Sequence, residues 1–173
     1  MMAGRRRLVT VAVVALAAVA LAAVAIQSGL LYALDPPDPD GYERATVTVS
    51  DENGTRLATV EVRIADTRDK RYLGLSATEE LPMGEGMLFV HGSEDRRSYV
   101  MRNMSFPLDI VYIGADREIT TVHHAPVPDG EYERTYTGRA KWVLEVPRGW
   151  ANETGVEPGD RVAIPPAART PAD

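Results

Sequence analysis

The feature that most constrains this chain is an uninterrupted apolar run from Leu8 to Ile26, 19 residues in which Thr10 is the only polar member. Coiled as a helix at roughly 1.5 Å per residue it spans about 28 Å, close to the hydrocarbon thickness of a bilayer. A buried helix of a globular core would show a polar stripe, and none is present. Arg5, Arg6 and Arg7 stand directly before the run. Basic flanks stay on the cytoplasmic side, so everything after about residue 34 is expected outside the membrane. The alternative is a secreted protein with a cleaved signal, for which Ala23-Val24-Ala25 offers a small-residue site. The run exceeds the roughly 7–15 residues of a typical signal core, which favours an uncleaved, single-pass anchor.

Two compositional facts limit what lies beyond the anchor. There is no cysteine, which excludes disulfides, thiol chemistry and a lipid anchor on cysteine, so packing alone must stabilise the fold. All 25 acidic residues follow Arg7, while three of the 19 basic ones form that flank, leaving −9 on the exported part. Such a balance argues against nucleic acid and anionic lipid as partners. Among the basic residues only Lys70 and Lys141 are lysine. An acidic, lysine-poor surface suits strong salt and points to a halophilic archaeon, although a G+C-rich genome also exchanges lysine for arginine. Three sequons, at Asn53, Asn103 and Asn152, fit an exported surface, with chance a sufficient source of one or two.

The organisation follows from Pro, Gly and alternation. Residues 1–34 read as the anchor or signal, and 35–44 as a stiff Pro/Asp-rich linker. Residues 45–165 read as one β-rich domain, and 166–173 as a disordered Pro/Ala tail. Thr46–Ser50 and Leu57–Ile64 alternate polar and apolar around Asp51-Glu-Asn-Gly54, which predicts a hairpin. Asp66 or Thr67 caps a short helix ending near Gly74-Leu75. Met87–Val90, Tyr99–Met101, Leu108–Ile113, Ile119–His123, Trp142–Val146 and Arg161–Ile164 read as further strands. One helical turn is expected at Gly149–Thr154. Seven or eight short strands with little helix predict an all-β fold, a sandwich or barrel behind a transmembrane helix.

Several of these segments occur in an order that resembles one family. They are Ile64-Ala-Asp-Thr67 with Arg71-Tyr-Leu-Gly-Leu75, then Leu81-Pro82 with Glu85-Gly-Met-Leu-Phe89. Next come Met101-Arg-Asn103 with Pro107-Leu-Asp-Ile110, and last Val143-Leu-Glu-Val-Pro147 with Gly149-Trp150, Gly155 and Gly159-Asp160. The pattern is similar to that of the family called domain of unknown function 192 and covers nearly all of Val60 to Ile164. The resemblance implies a compact antiparallel, jelly-roll-like β-sandwich, often exported or held at the envelope, and implies no reaction. The chain departs from the pattern at Val100-Met-Arg-Asn-Met104, where an aromatic and a threonine are usual. It departs again at Ser76-Ala-Thr78, where Met, an aromatic and Arg are usual.

The residue of most chemical interest is Asp109, a carboxylate inside the otherwise apolar strand Leu108–Ile113. A buried charge costs several kcal/mol unless paired, so Asp109 must either pin a loop through backbone N–H groups or face a pocket. Arg71, Met101, Arg102, Asn103 and Asp109 form the candidate ligand-binding set, with Arg71, Arg102 and Asn103 as possible partners of the carboxylate. Adjacent strand residues face opposite ways, so His123-His124 cannot jointly hold one metal and reads as a solvated pair. No nucleophile elbow, phosphate-cradling loop or metal-ligand spacing is present, and no metal or cofactor is expected. Met83, Met87, Met101 and Met104 read as core filler. The sequence leads to a non-enzymatic envelope module binding a small ligand or an envelope protein. The alternative is a hydrolase of an envelope polymer using Asp109 as acid or base.

Overall fold

A computed structural model describes residues 41–130 and 134–172. The expected anchor and most of the linker lie outside the described residues. Among those described, no helix is long and apolar enough to cross a membrane.

The order of elements is β1 (Arg44–Ser50), β2 (Arg56–Ala65), α1 (Arg68–Leu73), β3 (Glu85–Val100), β4 (Leu108–Ile113), β5 (Ile119–Ala125), β6 (Thr135–Pro147), α2 (Trp150–Thr154) and β7 (Arg161–Ala163). The seven strands form one mostly β, curled half-barrel sheet in the order β5-β4-β6-β3-β2-β1-β7. Its two ends meet where Ile119 donates to the Asp160 carbonyl (2.9 Å) and Val162 to the Arg117 carbonyl (2.9 Å). Of the expected antiparallel sandwich or barrel, the all-β character and the barrel-like curl are present, while two facing sheets and strictly antiparallel pairing are corrected. There is one sheet, and β2 pairs with β3 in parallel because α1 carries the chain back over the sheet between them.

Alternation decides which strands are covered on one face and which on both. In β1, Val47 and Val49 point inward and Thr46 and Thr48 outward; β2 repeats this with Ala58, Val60, Val62 and Ile64. The central strands instead carry continuous apolar runs, which only a strand buried on both faces can accommodate. All six residues of β4 are buried. Inside the curl lie Leu88, Val90, Val111, Ile113, Trp142 and Leu144. On the outer face Met87, Phe89, Leu108, Ile110, Tyr112 and Val143 form a second cluster.

The local signals act where they stand. The Asp51 carboxylate accepts from the Asn53 and Thr55 amides and closes the β1–β2 turn. Thr67 caps α1 through the Lys70 amide. The segment after Pro165 is not a loose tail: Ala168 is fully buried, and its carbonyl accepts from the Trp142 indole at 2.6 Å.

Candidate functional site

The two runs Met87–Val90 and Tyr99–Met101, which sequence reads as separate strands, are joined in the 16-residue β3. Ten residues of straight strand extend about 33 Å. Yet the Phe89 and Tyr99 rings sit edge to face with centroids 5.1 Å apart, and His91 Nε2 lies 3.0 Å from the Tyr99 hydroxyl. The strand therefore doubles back. The bend is a bulge between Val90 and Asp95, beyond which β3 resumes pairing with β6 from Ala140 to Thr135. The paired ends of β3 and β6 fold over the outer face as an arm. Gly138 permits this, since a Cβ there would lie 2.5 Å from the Tyr112 ring. Tyr112 then donates to the Tyr136 carbonyl (2.8 Å) and holds the arm down.

Between the arm, α1 and the turn after β3 lies a cavity of about 540 Å³. Phe89, Tyr99, Leu75, Met101, Met104 and Leu108 supply apolar wall. Five arginines line it: Arg68, Arg71, Arg96, Arg97 and Arg102. Arg71 reaches the Asp66 and Val90 carbonyls at 2.9 and 3.0 Å, tying α1 to the bend. Arg97 donates to the Ser93 carbonyl at 2.7 Å. Arg102 donates to the Tyr72 carbonyl and lies over the Tyr72 ring, 4.0 Å from its centroid. These bonds fix where the guanidinium groups stand at the cavity wall.

One acid shares the cavity with these arginines. Glu145 of β6 is 6% exposed and lines the cavity. No buried side-chain oxygen among the described residues is left without a partner, so its carboxyl, which no described residue bonds, opens on that space. Burial without a partner raises its pKa to about 8, so the group is a neutral acid at pH 7. Tyr99 and Tyr112 are both held above the ordinary phenol range, by burial first and then by Glu145. His91 is pushed down to about 4 by burial and by Arg97 and Arg71, and is neutral. At neutral pH the charged groups among the residues that line the cavity are therefore its five arginines.

Of the candidate residues, Arg71, Met101 and Arg102 line this cavity, and Asn103 and Asp109 do not. Asn103 is exposed in the turn after β3, with a left-handed φ of 55° that asparagine tolerates better than most residues. Asp109 is fully buried on the other face. One oxygen accepts from the Gly149 and Ala151 amides, each at 3.0 Å, and the other lies 2.6 Å from His124 Nδ1. Gly149 begins α2 without a side chain to cap it, and Asp109 supplies the cap from forty residues away. Its partners are thus none of Arg71, Arg102 or Asn103. The histidines are also tied rather than merely solvated, His123 Nε2 lying 2.9 Å from the Thr137 carbonyl. The three sequon asparagines are exposed. Among the described residues no group of three or more His, Asp or Glu could hold a metal ion.

The model of the family described as an uncharacterised ACR, domain of unknown function 192, matches residues 48–164. The chain belongs to this family. Two solved structures share its fold and part of its sequence. One is a protein of unknown function from Novosphingobium aromaticivorans, 32% identical, TM-score 0.66, covering 73% of this chain and 89% of that one. The other is a candidate transcription regulator from Sinorhizobium meliloti, 29% identical, TM-score 0.65, covering 70% of this chain and 94% of that one. No curated protein matches. The family's description assigns no function, and the Novosphingobium structure is that of a protein of unknown function. Positions at which it departs from the family pattern, Ser76, Val100 and Met104, line the cavity.

Sequence reasoning missed Glu145, Tyr99, His91 and three of the arginines. Glu145 carries the same signal as Asp109, a carboxylate inside an apolar strand (Trp142–Val146), and could have been singled out by it. Arg96 and Arg97 could not, because only the bend of β3 brings them to the cavity.

Proposed function

We propose that this chain is a non-enzymatic binding module, displayed outside the membrane by its N-terminal segment, that takes up a small anionic ligand with an apolar portion. The carrying observation is the concentration of five arginines around a half-apolar cavity with one buried carboxyl, in a chain whose overall charge is −6. A positive site in a negative molecule must be built against the mean field, and it selects anions. The anchor reading rests on the apolar run after Arg5–Arg7. A hydrolase working through Asp109 finds no support, since that carboxylate is buried and occupied by backbone and imidazole donors. The acid excess also speaks against carrying over the transcriptional role named for the Sinorhizobium relative.

The test is thermal unfolding of the full chain with benzoate, sulfate and the neutral isostere benzamide. Anions should raise the melting temperature and benzamide should not, and Arg97→Gln should shrink the anion effect. Equal shifts from benzoate and benzamide would overturn the reading. For location, protease added to intact cells should remove the domain, and full protection would refute display outside.

A further inference from the structure

Glu145 lies at the wall of the cavity, mostly buried, with its carboxyl open to that space and bonded by no described residue. The protein does complete buried carboxyls elsewhere: Asp109 has two amides and an imidazole. Glu145 instead lines the cavity. We propose that Glu145 is the specificity-determining residue there, binding as a neutral carboxylic acid that donates its proton in a hydrogen bond to an oxygen of the anionic ligand. The ligand's remaining charge faces the arginines and its apolar part the Phe89–Met101 wall. Ionisation of Glu145 then removes the donor, puts negative charge beside a negative ligand, and releases it. This rests on the cavity being the binding site proposed above.

The neighbouring groups leave Glu145 as the switch. From β3 it shares the cavity with His91, Arg96, Arg97 and Tyr99; from α1 with Arg68, Arg71 and Tyr72; from the following turn with Arg102; and Tyr112 of β4 is close enough to feel its charge. The arginines stay charged throughout. His91 is neutral above pH 6, and the buried phenols of Tyr99 and Tyr112 stay protonated above pH 10. Glu145, raised to about 8, changes charge between pH 6 and 9.5.

The probe is benzoate, whose own charge is constant over that range, titrated calorimetrically into the full chain at pH 6 and pH 9.5. With about one Glu145 in thirty protonated at the higher pH, apparent affinity should fall about 30-fold. Glu145→Gln keeps a neutral donor at every pH, so it should bind at both within about threefold of wild type at pH 6. Carbon-detected titration of the wild-type Glu145 carboxyl provides a reading that needs no variant: benzoate should raise its midpoint. Benzoate binding that is equal at both pH values, or a Glu145→Gln variant that loses affinity at pH 9.5 as wild type does, overturns the role of Glu145 and leaves the cavity standing as a binding site. Failure of both benzoate and sulfate to bind at pH 6, in wild type and variant, overturns both.

Discussion

Asp109 and Glu145 sit on neighbouring strands one register step apart, Asp109 opposite Val146 and Ile110 opposite Glu145, and so on opposite faces of one sheet. Both carboxyls are buried, at 0% and 6% exposure. On the inner face Asp109 meets the start of α2 and accepts from two amides and a histidine. On the outer face Glu145 meets a cavity and accepts from nothing in the described protein. Burial alone therefore carries little functional information about a charged residue. What separates the two is whether the fold supplies donors. A carboxyl saturated by the fold belongs to the architecture, and one that opens on a cavity is accessible to whatever enters it.

The comparison can be broken most directly at Asp109. Asp109→Ala abandons two buried amides and should cost about 3–5 kcal/mol in urea unfolding, with Asp109→Asn roughly half as costly. A loss below about 1 kcal/mol would mean that the α2 amides find other acceptors and that the inner carboxyl is as dispensable as the outer. Truncation after Ile164 tests the seal on the same face. It orphans the Trp142 indole N–H and uncovers the core beside Ala168, for an expected loss of about 2–3 kcal/mol. Gly138→Ala strikes the outer face instead. The new methyl would overlap the Tyr112 ring and lift the arm, costing about 1–2 kcal/mol and weakening benzoate binding more than it weakens the fold.

The smallest expected effect has the opposite sign. Folding raises the pKa of Glu145 from 4.5 to about 8, so between those values the folded chain holds a proton that the unfolded chain has lost. Its contribution to stability therefore declines as pH rises from about 4.5 to 8. Glu145→Gln should gain stability relative to wild type as pH rises from about 4.5 to 8.5, with the gain vanishing near pH 4.5. His91 runs the other way, its pKa lowered from 6.5 to about 4, so its contribution grows as pH rises through that window. A pH series of melting curves should thus show wild type alone declining between pH 6.5 and 8. A Glu145→Gln variant less stable than wild type at pH 8.5 would show that the carboxyl is satisfied after all.

Much of the architecture was legible because its causes are local. The Asp51–Gly54 turn, the Thr67 cap and the polar–apolar alternation of β1 and β2 depend on residues within a few positions of one another. The continuous apolar runs of β3, β4 and β6 likewise announce strands covered on both faces, and the ordered motifs announced the family. The sheet count, the parallel β2–β3 pair and the arm were not legible. Each depends on where the chain goes after a strand ends or bends, and the tight Gly138–Tyr112 packing joins residues 26 positions apart. The candidate site divides the same way. Arg71, Met101 and Arg102 could be chosen from sequence because they stand in or beside the family's motifs. Asp109 and Glu145 send the same signal, an acid in an apolar strand, and sequence cannot rank them. Composition and periodicity determine that a carboxyl will be buried; only the tertiary structure decides whether donors meet it, because at Asp109 they come from His124, Gly149 and Ala151, 15, 40 and 42 positions away, and at Glu145 no described residue brings one.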